Sequence, residues 1–258
     1  MKVLILAGGL GSRLGEETQL IPKPMVKIGS KPILWHIMKL YAMAGFNEFI
    51  LLLGYKSDVI KDYFINYKKY SGNIELDLST DTYSNLSNVS ENWKITMLET
   101  GEETLTGSRI KQARQFTADQ PFLLTYGDGV ANIDLKKLVS FHKKKKRYLT
   151  MTSVQPDGRF GTFEADEDDI VTSFVEKPKG QGSWINGGFF VCEPEIFNYI
   201  SDGSKVIFEE STMQALAREK KIATYRHNGF WKCMDTIKDK KELEKLGCSA
   251  VPPWQTWT

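Results

Sequence analysis

Cysteine and histidine are scarce in this chain of 258 residues, with three of each. Cys192, Cys233 and Cys248 form no Cys-x-x-Cys pair and no Cys/His cluster of zinc spacing, and an odd count cannot be fully paired. A disulfide framework and a structural zinc site are therefore excluded as organising features, and the usage suits a cytoplasmic protein. Long apolar runs are missing too. Nothing approaches the ~20 residues of a membrane span, and Val3 to Ala7 is too short and too soon followed by glycine for a signal sequence. Charge of one sign is also absent, since 34 Lys and Arg face 32 Asp and Glu for a net charge of +2. Such a balance makes no polyelectrolyte field, so neither nucleic acid nor a membrane surface is an expected partner. The Asn-x-Ser sequences at Asn85 and Asn88 are then chance matches.

What is present reads as one α/β domain over residues 1–258. Val3 to Ala7 suits a strand buried on both faces, Ile33, Ile37, Leu40, Tyr41 and Ala44 recur at helical spacing, Glu48 to Leu53 is a second buried strand, and Ser57 opens a second helix. Alternation of strand and helix predicts a doubly wound, mostly parallel mixed sheet of Rossmann-like type. Further elements are expected at Phe122 to Tyr126, Asp134 to Lys145, Trp184 to Val191, Phe208 to Glu219, Ile222 to Arg226 and Ile237 to Leu246. The second half adds antiparallel strands. Residues 71–99 read as a two-stranded excursion: Ile74, Leu76 and Leu78 alternate with polar residues, as do Trp93, Ile95 and Met97. That excursion and the tail after the last helix, with Trp254 and Trp257, suit either a subunit contact or packing on their own subunit.

The strongest chemical signal is Leu6-Ala7-Gly8-Gly9-Leu10-Gly11-Ser12-Arg13-Leu14, directly after the first strand. Glycines let backbone N–H groups approach a phosphate chain, and Arg13 adds a forked cation. Neither familiar phosphate loop fits. A Walker A loop needs Gly-Lys-Ser/Thr, and a dinucleotide fingerprint needs glycine where Leu14 stands and an acid where Gly54 stands. The segment reads as a nucleotide loop of another kind, against the plainer reading of a tight turn. In Pro22-Lys23-Pro24-Met25 the prolines stiffen the backbone around a lysine. Asp128 ends an apolar strand between two glycines, at the carboxyl edge where doubly wound folds bind ligands, and a carboxylate there suits Mg²⁺. Asp235 is a candidate second carboxylate, or else the cap of the helix near Ile237. Glu176, Lys177 and the amide of Asn186-Gly187-Gly188 supply what a phosphosugar needs, a cation and polar partners for its hydroxyls; a surface ion pair and a glycine bulge are the plainer reading. His36, His142 and His227 read as structural.

Together these segments resemble the sugar-1-phosphate nucleotidyltransferase family, whose members join a nucleoside triphosphate to a sugar 1-phosphate and release pyrophosphate. The resemblance runs over nearly the whole chain, through Lys31 to Met38, Thr106-Gly107-Ser108-Arg109, Tyr126-Gly127-Asp128-Gly129, Gly158-Arg159-Phe160-Gly161, Glu176 to Gly180, Ile185 to Phe190, and Gly229-Phe230-Trp231 with Met234-Asp235-Thr236. It implies Mg²⁺ held by Asp128 and Asp235, with Arg13, Lys23 and Asp128 catalytic. It also implies a nucleotide on Leu6, Ala7, Gly8, Gly9, Leu10, Gly11, Ser12 and Arg13, together with Lys23, Thr104, Arg109 and Asp128. The sugar phosphate would lie on Tyr126, Gly127, Glu176, Lys177, Lys179, Asn186, Gly187 and Gly188. The Thr-Gly-Ser-Arg and Gly-Arg-Phe-Gly segments and the closing Pro-Pro-Trp-Gln-Thr-Trp resemble most the branch that uses CTP with glucose 1-phosphate. UTP or dTTP is the alternative, and a catalytically silent nucleotide-sensing domain is the alternative of another class. A homo-oligomer, of hexamer size, is the implied assembly. Two departures stand out: Ser12 replaces the commoner Thr, and Ile21 stands where relatives often carry a polar or basic residue.

Overall fold

Three consecutive apolar residues, Val3, Leu4 and Ile5, are wholly buried, as a central strand covered on both faces requires. Val3 and Ile5 join one apolar cluster and Leu4 the other, the period-two alternation of a strand between two layers. The computed structural model describes residues 1–11, 14–87, 91–156, 162–175 and 184–257.

The main sheet has seven strands: β1 (Val3–Leu6), β2 (Glu48–Leu53), β3 (Lys94–Glu99), β4 (Phe122–Tyr126), β5 (Leu149–Val154), β6 (Ile185–Cys192) and β7 (Ile222–His227). Their order is β7-β5-β6-β4-β1-β2-β3. All run parallel except β6, which is antiparallel to both neighbours, β4 and β5. The expected doubly wound mixed sheet is therefore the observed one. Helices Ile33–Met43 and Leu135–Lys145 cover one face; Phe197, Phe208 and Leu216 help to cover the other. The order reverses between β4 and β1, so the carboxyl ends of those strands open a crevice where ligands bind in such folds. Because β6 runs backwards, its beginning, Ile185 to Gly188, reaches the same edge.

One expectation needs correction. Trp93, Ile95 and Met97 do not pair with the Ile74 segment: Lys94–Glu99 is the parallel edge strand of the main sheet, with Glu48 opposite Lys94. Alternation reports one buried face, not which sheet supplies the partner. The excursion is instead the exposed hairpin Ile74–Asp77 with Thr82–Asn85. For the tail, where both readings stood open, packing on its own subunit is what the structure shows: Trp254 is 1 % exposed and its indole Nε1 donates to His36 Nδ1 at 3.2 Å, while the Trp257 ring lies 6.3 Å from that of Trp35.

His36 is structural, as expected. Burial pushes its pKa down to about 4, and the Trp254 bond requires an unprotonated Nδ1 while Nε2 lies 3.0 Å from the Ile28 carbonyl. Between the ordinary value of 6.5 and about 4 the unfolded chain binds a proton that the folded chain refuses, so stability falls as pH drops through that window. The loss between pH 7 and pH 5 is about 2 kcal/mol. Urea unfolding midpoints at the two pH values check this, with His36→Gln expected to flatten the dependence; an unchanged slope in the variant contradicts it.

Candidate active site

Lys23 and two carboxylates form the centre. Lys23 begins a short turn, Lys23–Met25, whose flanking Pro22 and Pro24 restrict its backbone. Asp128 follows β4, and its carbonyl accepts from the Met234 N–H at 2.9 Å. The antiparallel pair Gly129–Ala131 with Trp231–Cys233 sets Cys233 opposite Gly129, which carries Asp235 back to Asp128. The Lys23 ammonium, 12 % exposed, lies 2.6 Å from Asp128 Oδ2 and 2.7 Å from Asp235 Oδ1. Burial alone would lower its pKa, but the charge of Asp128 and hydrogen bonds to both carboxylates carry it above the ordinary value. Asp235 is not the helix cap. Thr236 occupies that position in a capping box with Asp239, which leaves the Asp235 carboxylate to the centre.

The glycine loop meets this centre at close quarters. Gly11 has φ +64°, and a Cβ there would lie 3.0 Å from Lys23 Cβ. At Gly127 a Cβ would come 2.8 Å from the Leu6 carbonyl oxygen, so the ends of β1 and β4 and the Pro24 ring pack with no room for a side chain. Gly9 and Leu10 face outward, and a Cβ at Gly9 would meet nothing within 4 Å. Open backbone there is what a phosphate chain needs.

Arg109 is placed differently from the ligand-facing cation that was expected. Only 3 % exposed, it donates to Leu53 O at 2.8 Å, Thr100 Oγ1 at 2.5 Å, Gly8 O at 2.9 Å and Glu102 O at 3.0 Å. These acceptors follow or end β1, β2 and β3, so the guanidinium braces three loops of one edge. A planar fork of five donors suits that task. Thr104 closes the turn before helix Thr106–Gln112, its N–H donating to Gly101 O at 3.3 Å.

Of the residues expected to take the sugar phosphate, Tyr126, Asn186, Gly187 and Gly188 meet at the start of β6. Asn186 Nδ2 donates to Tyr126 Oη at 3.0 Å, and its Oδ1 accepts from the Gly188 N–H at 2.9 Å. Gly188 has φ +81°, and a Cβ there would lie 2.6 Å from Tyr126 Cδ2, so only glycine leaves room for the ring against this backbone. Trp231 Nε1 donates to Gly187 O at 2.7 Å, tying β6 to the segment that carries Asp235. Ser12, Arg13, Glu176, Lys177 and Lys179 lie outside the described residues.

Three contributors escaped sequence reasoning. Thr100 is a buried polar residue on Leu53 O at 2.5 Å, Cys233 places a thiol 3.7 Å from Asp235 Oδ2, and Glu209 accepts from Tyr126 Oη at 2.5 Å. Burial and the neighbouring carboxylates Asp235 and Asp128 push the Cys233 thiol up to about 12, so it is no thiolate nucleophile at neutral pH. For Glu209 the only available signal was an acid in the first turn of an expected helix, which also has a plain dipole explanation.

The chain matches the sequence model of the family described as Nucleotidyl transferase over residues 2–242. It is 46% identical to the "Probable glucose-1-phosphate cytidylyltransferase" of Bacillus subtilis over the full length of both, and 44% identical to the "Glucose-1-phosphate cytidylyltransferase" of Salmonella typhi, again over both full lengths. Among solved structures, HddC from Yersinia pseudotuberculosis complexed with GMP-PN superposes with a TM-score of 0.69 at 27% identity, covering 95% of this chain and 98% of that one. A UDP-glucose pyrophosphorylase complexed with UDP-glucose, at 19% identity and a TM-score of 0.68 over 95% and 97% of the two chains, shares the fold.

Proposed function

The chain belongs to the nucleotidyl transferase family, and from that premise we propose that it transfers a cytidylyl group from CTP to glucose 1-phosphate, giving CDP-glucose and pyrophosphate. The observation that carries this reading is the convergence of Lys23, Asp128 and Asp235 beside an open glycine loop, in a chain full-length similar to proteins named for that reaction.

A phosphate oxygen of glucose 1-phosphate is already anionic, so in-line attack on the α-phosphorus needs neither a covalent nucleophile nor a base. The N–H groups of the Gly8 to Gly11 loop and the Lys23 ammonium neutralise charge on the triphosphate as the pyrophosphate bond breaks. Arg13 adds a second cation, and Thr104 lies on the nucleotide side. Arg109 keeps the loop at its height through Gly8 O. Asn186, Tyr126 and the Gly187-Gly188 backbone address the sugar, with Glu176, Lys177 and Lys179 completing that side by resemblance.

Mg²⁺ fits the donor set: two carboxylate oxygens already converge within 2.7 Å of one cation, and Mg²⁺ takes one or two protein carboxylates, the rest being water and phosphate oxygen. Asp128 and Asp235 would hold it, and bound there it would supply further charge neutralisation on the phosphates. For a homo-oligomer, the exposed Ile74, Leu76 and Tyr83 of the hairpin are the surface we assign to the contact. No helix among the described residues is long and apolar enough to cross a membrane, and a nucleotide substrate suits a cytoplasmic enzyme.

Product analysis tests the reading. Incubation with CTP and glucose 1-phosphate is expected to yield CDP-glucose and pyrophosphate in equal amounts by mass spectrometry and phosphorus NMR. CTP alone is expected to yield neither pyrophosphate nor CMP. Hydrolysis without the sugar would count against a site built for phosphate-to-phosphate transfer.

A further inference from the structure

Glu209 has no task in the reaction above, yet both its carboxylate oxygens are taken by side chains at the site. Oε1 accepts from Tyr126 Oη at 2.5 Å and Oε2 from Thr106 Oγ1 at 2.8 Å. The phenol accepts in turn from Asn186 Nδ2, and Asn186 Oδ1 from the Gly188 N–H. This chain of bonds has a direction. A carboxylate only accepts, so Tyr126 must give its proton to Glu209, which turns the phenol's lone pairs toward Asn186 and fixes which end of that amide points where.

Two further observations point the same way. Glu209 lies in a π turn, Phe208–Thr212, a wide turn often found at functional sites. The two contacts of Glu209 are also unequal in consequence. Thr106 Oγ1 accepts from the Phe208 N–H at 2.9 Å, and the adjoining Gly107 N–H donates to Val206 O at 2.9 Å, so the nucleotide-side segment is tied independently. Among the described residues the phenol is tied to Glu209 and Asn186 alone.

We propose that Glu209 is a positioning residue that acts through Tyr126 to orient Asn186 toward the hydroxyls of the sugar phosphate, and that it does so without a share in nucleotide binding. The proposal rests on the reading that Tyr126 and Asn186 address the sugar. Glu209→Gln keeps the volume but puts an amide N–H₂, a donor, at one of two positions that must accept. Steady-state kinetics on the full chain with CTP and glucose 1-phosphate are expected to show KM for the sugar phosphate raised about tenfold, the worth of one such hydrogen bond. KM for CTP is expected to stay within about twofold, with the unfolding midpoint lowered by no more than a few degrees. Tyr126→Phe breaks the same chain, so the double variant is expected to be no worse than Tyr126→Phe alone. A Glu209→Gln enzyme with both KM values unchanged, equal rises in both, or multiplied defects in the double variant would each overturn the proposal. Wild-type enzyme inactive with glucose 1-phosphate would instead overturn the substrate reading beneath it.

Discussion

Lys23→Met is expected to lower kcat/KM with CTP and glucose 1-phosphate by at least about a thousandfold, roughly 4 kcal/mol of transition-state stabilisation, while the protein stays folded. The lysine is held on a proline-stiffened turn, within 2.7 Å of two carboxylates and against Gly11 of the loop, so on the proposed reading its ammonium is already in place for the developing phosphate charge. Methionine keeps the stem and removes only the charge. The two carboxylates then face each other without their shared cation, but each is more than a quarter exposed, so water screens them and the stability loss is small. A fall of about 2–6 °C in the unfolding midpoint is expected for a chain of this size. Circular dichroism melting beside initial rates separates the two effects. Turnover within tenfold of wild type would remove Lys23 from the reaction.

Asp128→Asn is the second large effect, with a loss of kcat/KM on the order of a thousandfold and little change in melting. The side chain keeps its shape and one acceptor oxygen, and Lys23 keeps Asp235. What disappears is one of two anionic oxygens that meet on a single cation, and hard divalent cations bind through such oxygens. Manganese binding followed by electron paramagnetic resonance, with no nucleotide present, gives a readout independent of turnover: at least about tenfold weaker in Asp128→Asn and in Asp235→Asn than in wild type. Unchanged manganese affinity in both variants would leave the acids as partners of Lys23 only.

The fold was legible where an element carries its own period or its own punctuation. Phe122–Tyr126 matches its expected bounds because an apolar run lies between proline and glycine, and Leu135–Lys145 starts where Asp134 was expected to open it. The edge strand Lys94–Glu99 was misassigned because pairing with Glu48–Leu53 is a contact across some forty residues, and its alternation fits any half-covered strand. Trp254 was ambiguous for a related reason. A tryptophan in a tail needs a partner surface, and only tertiary structure shows it to be His36 and Phe230.

At the site, residue type and spacing marked the glycine loop, Lys23, Asp128 and Asp235, since each has a chemistry visible in its own segment. Arg109 shows the limit. A basic residue in a nucleotide-side motif reads as a ligand contact, whereas four carbonyl and hydroxyl acceptors from distant segments make it a brace. Glu209 was illegible for the same reason: its partners Tyr126 and Thr106 are remote in the chain, and nothing local distinguishes it from an ordinary helix-start acid.

Cytidylyl transfer to glucose 1-phosphate is decided by initial rates of pyrophosphate release with CTP, UTP and dTTP, each with and without glucose 1-phosphate. Release is expected to require the sugar phosphate, with a kcat/KM for CTP at least about a hundredfold above the other two. Equal or faster release with UTP or dTTP would contradict the assignment of cytidine, and none with any pair would contradict catalysis altogether.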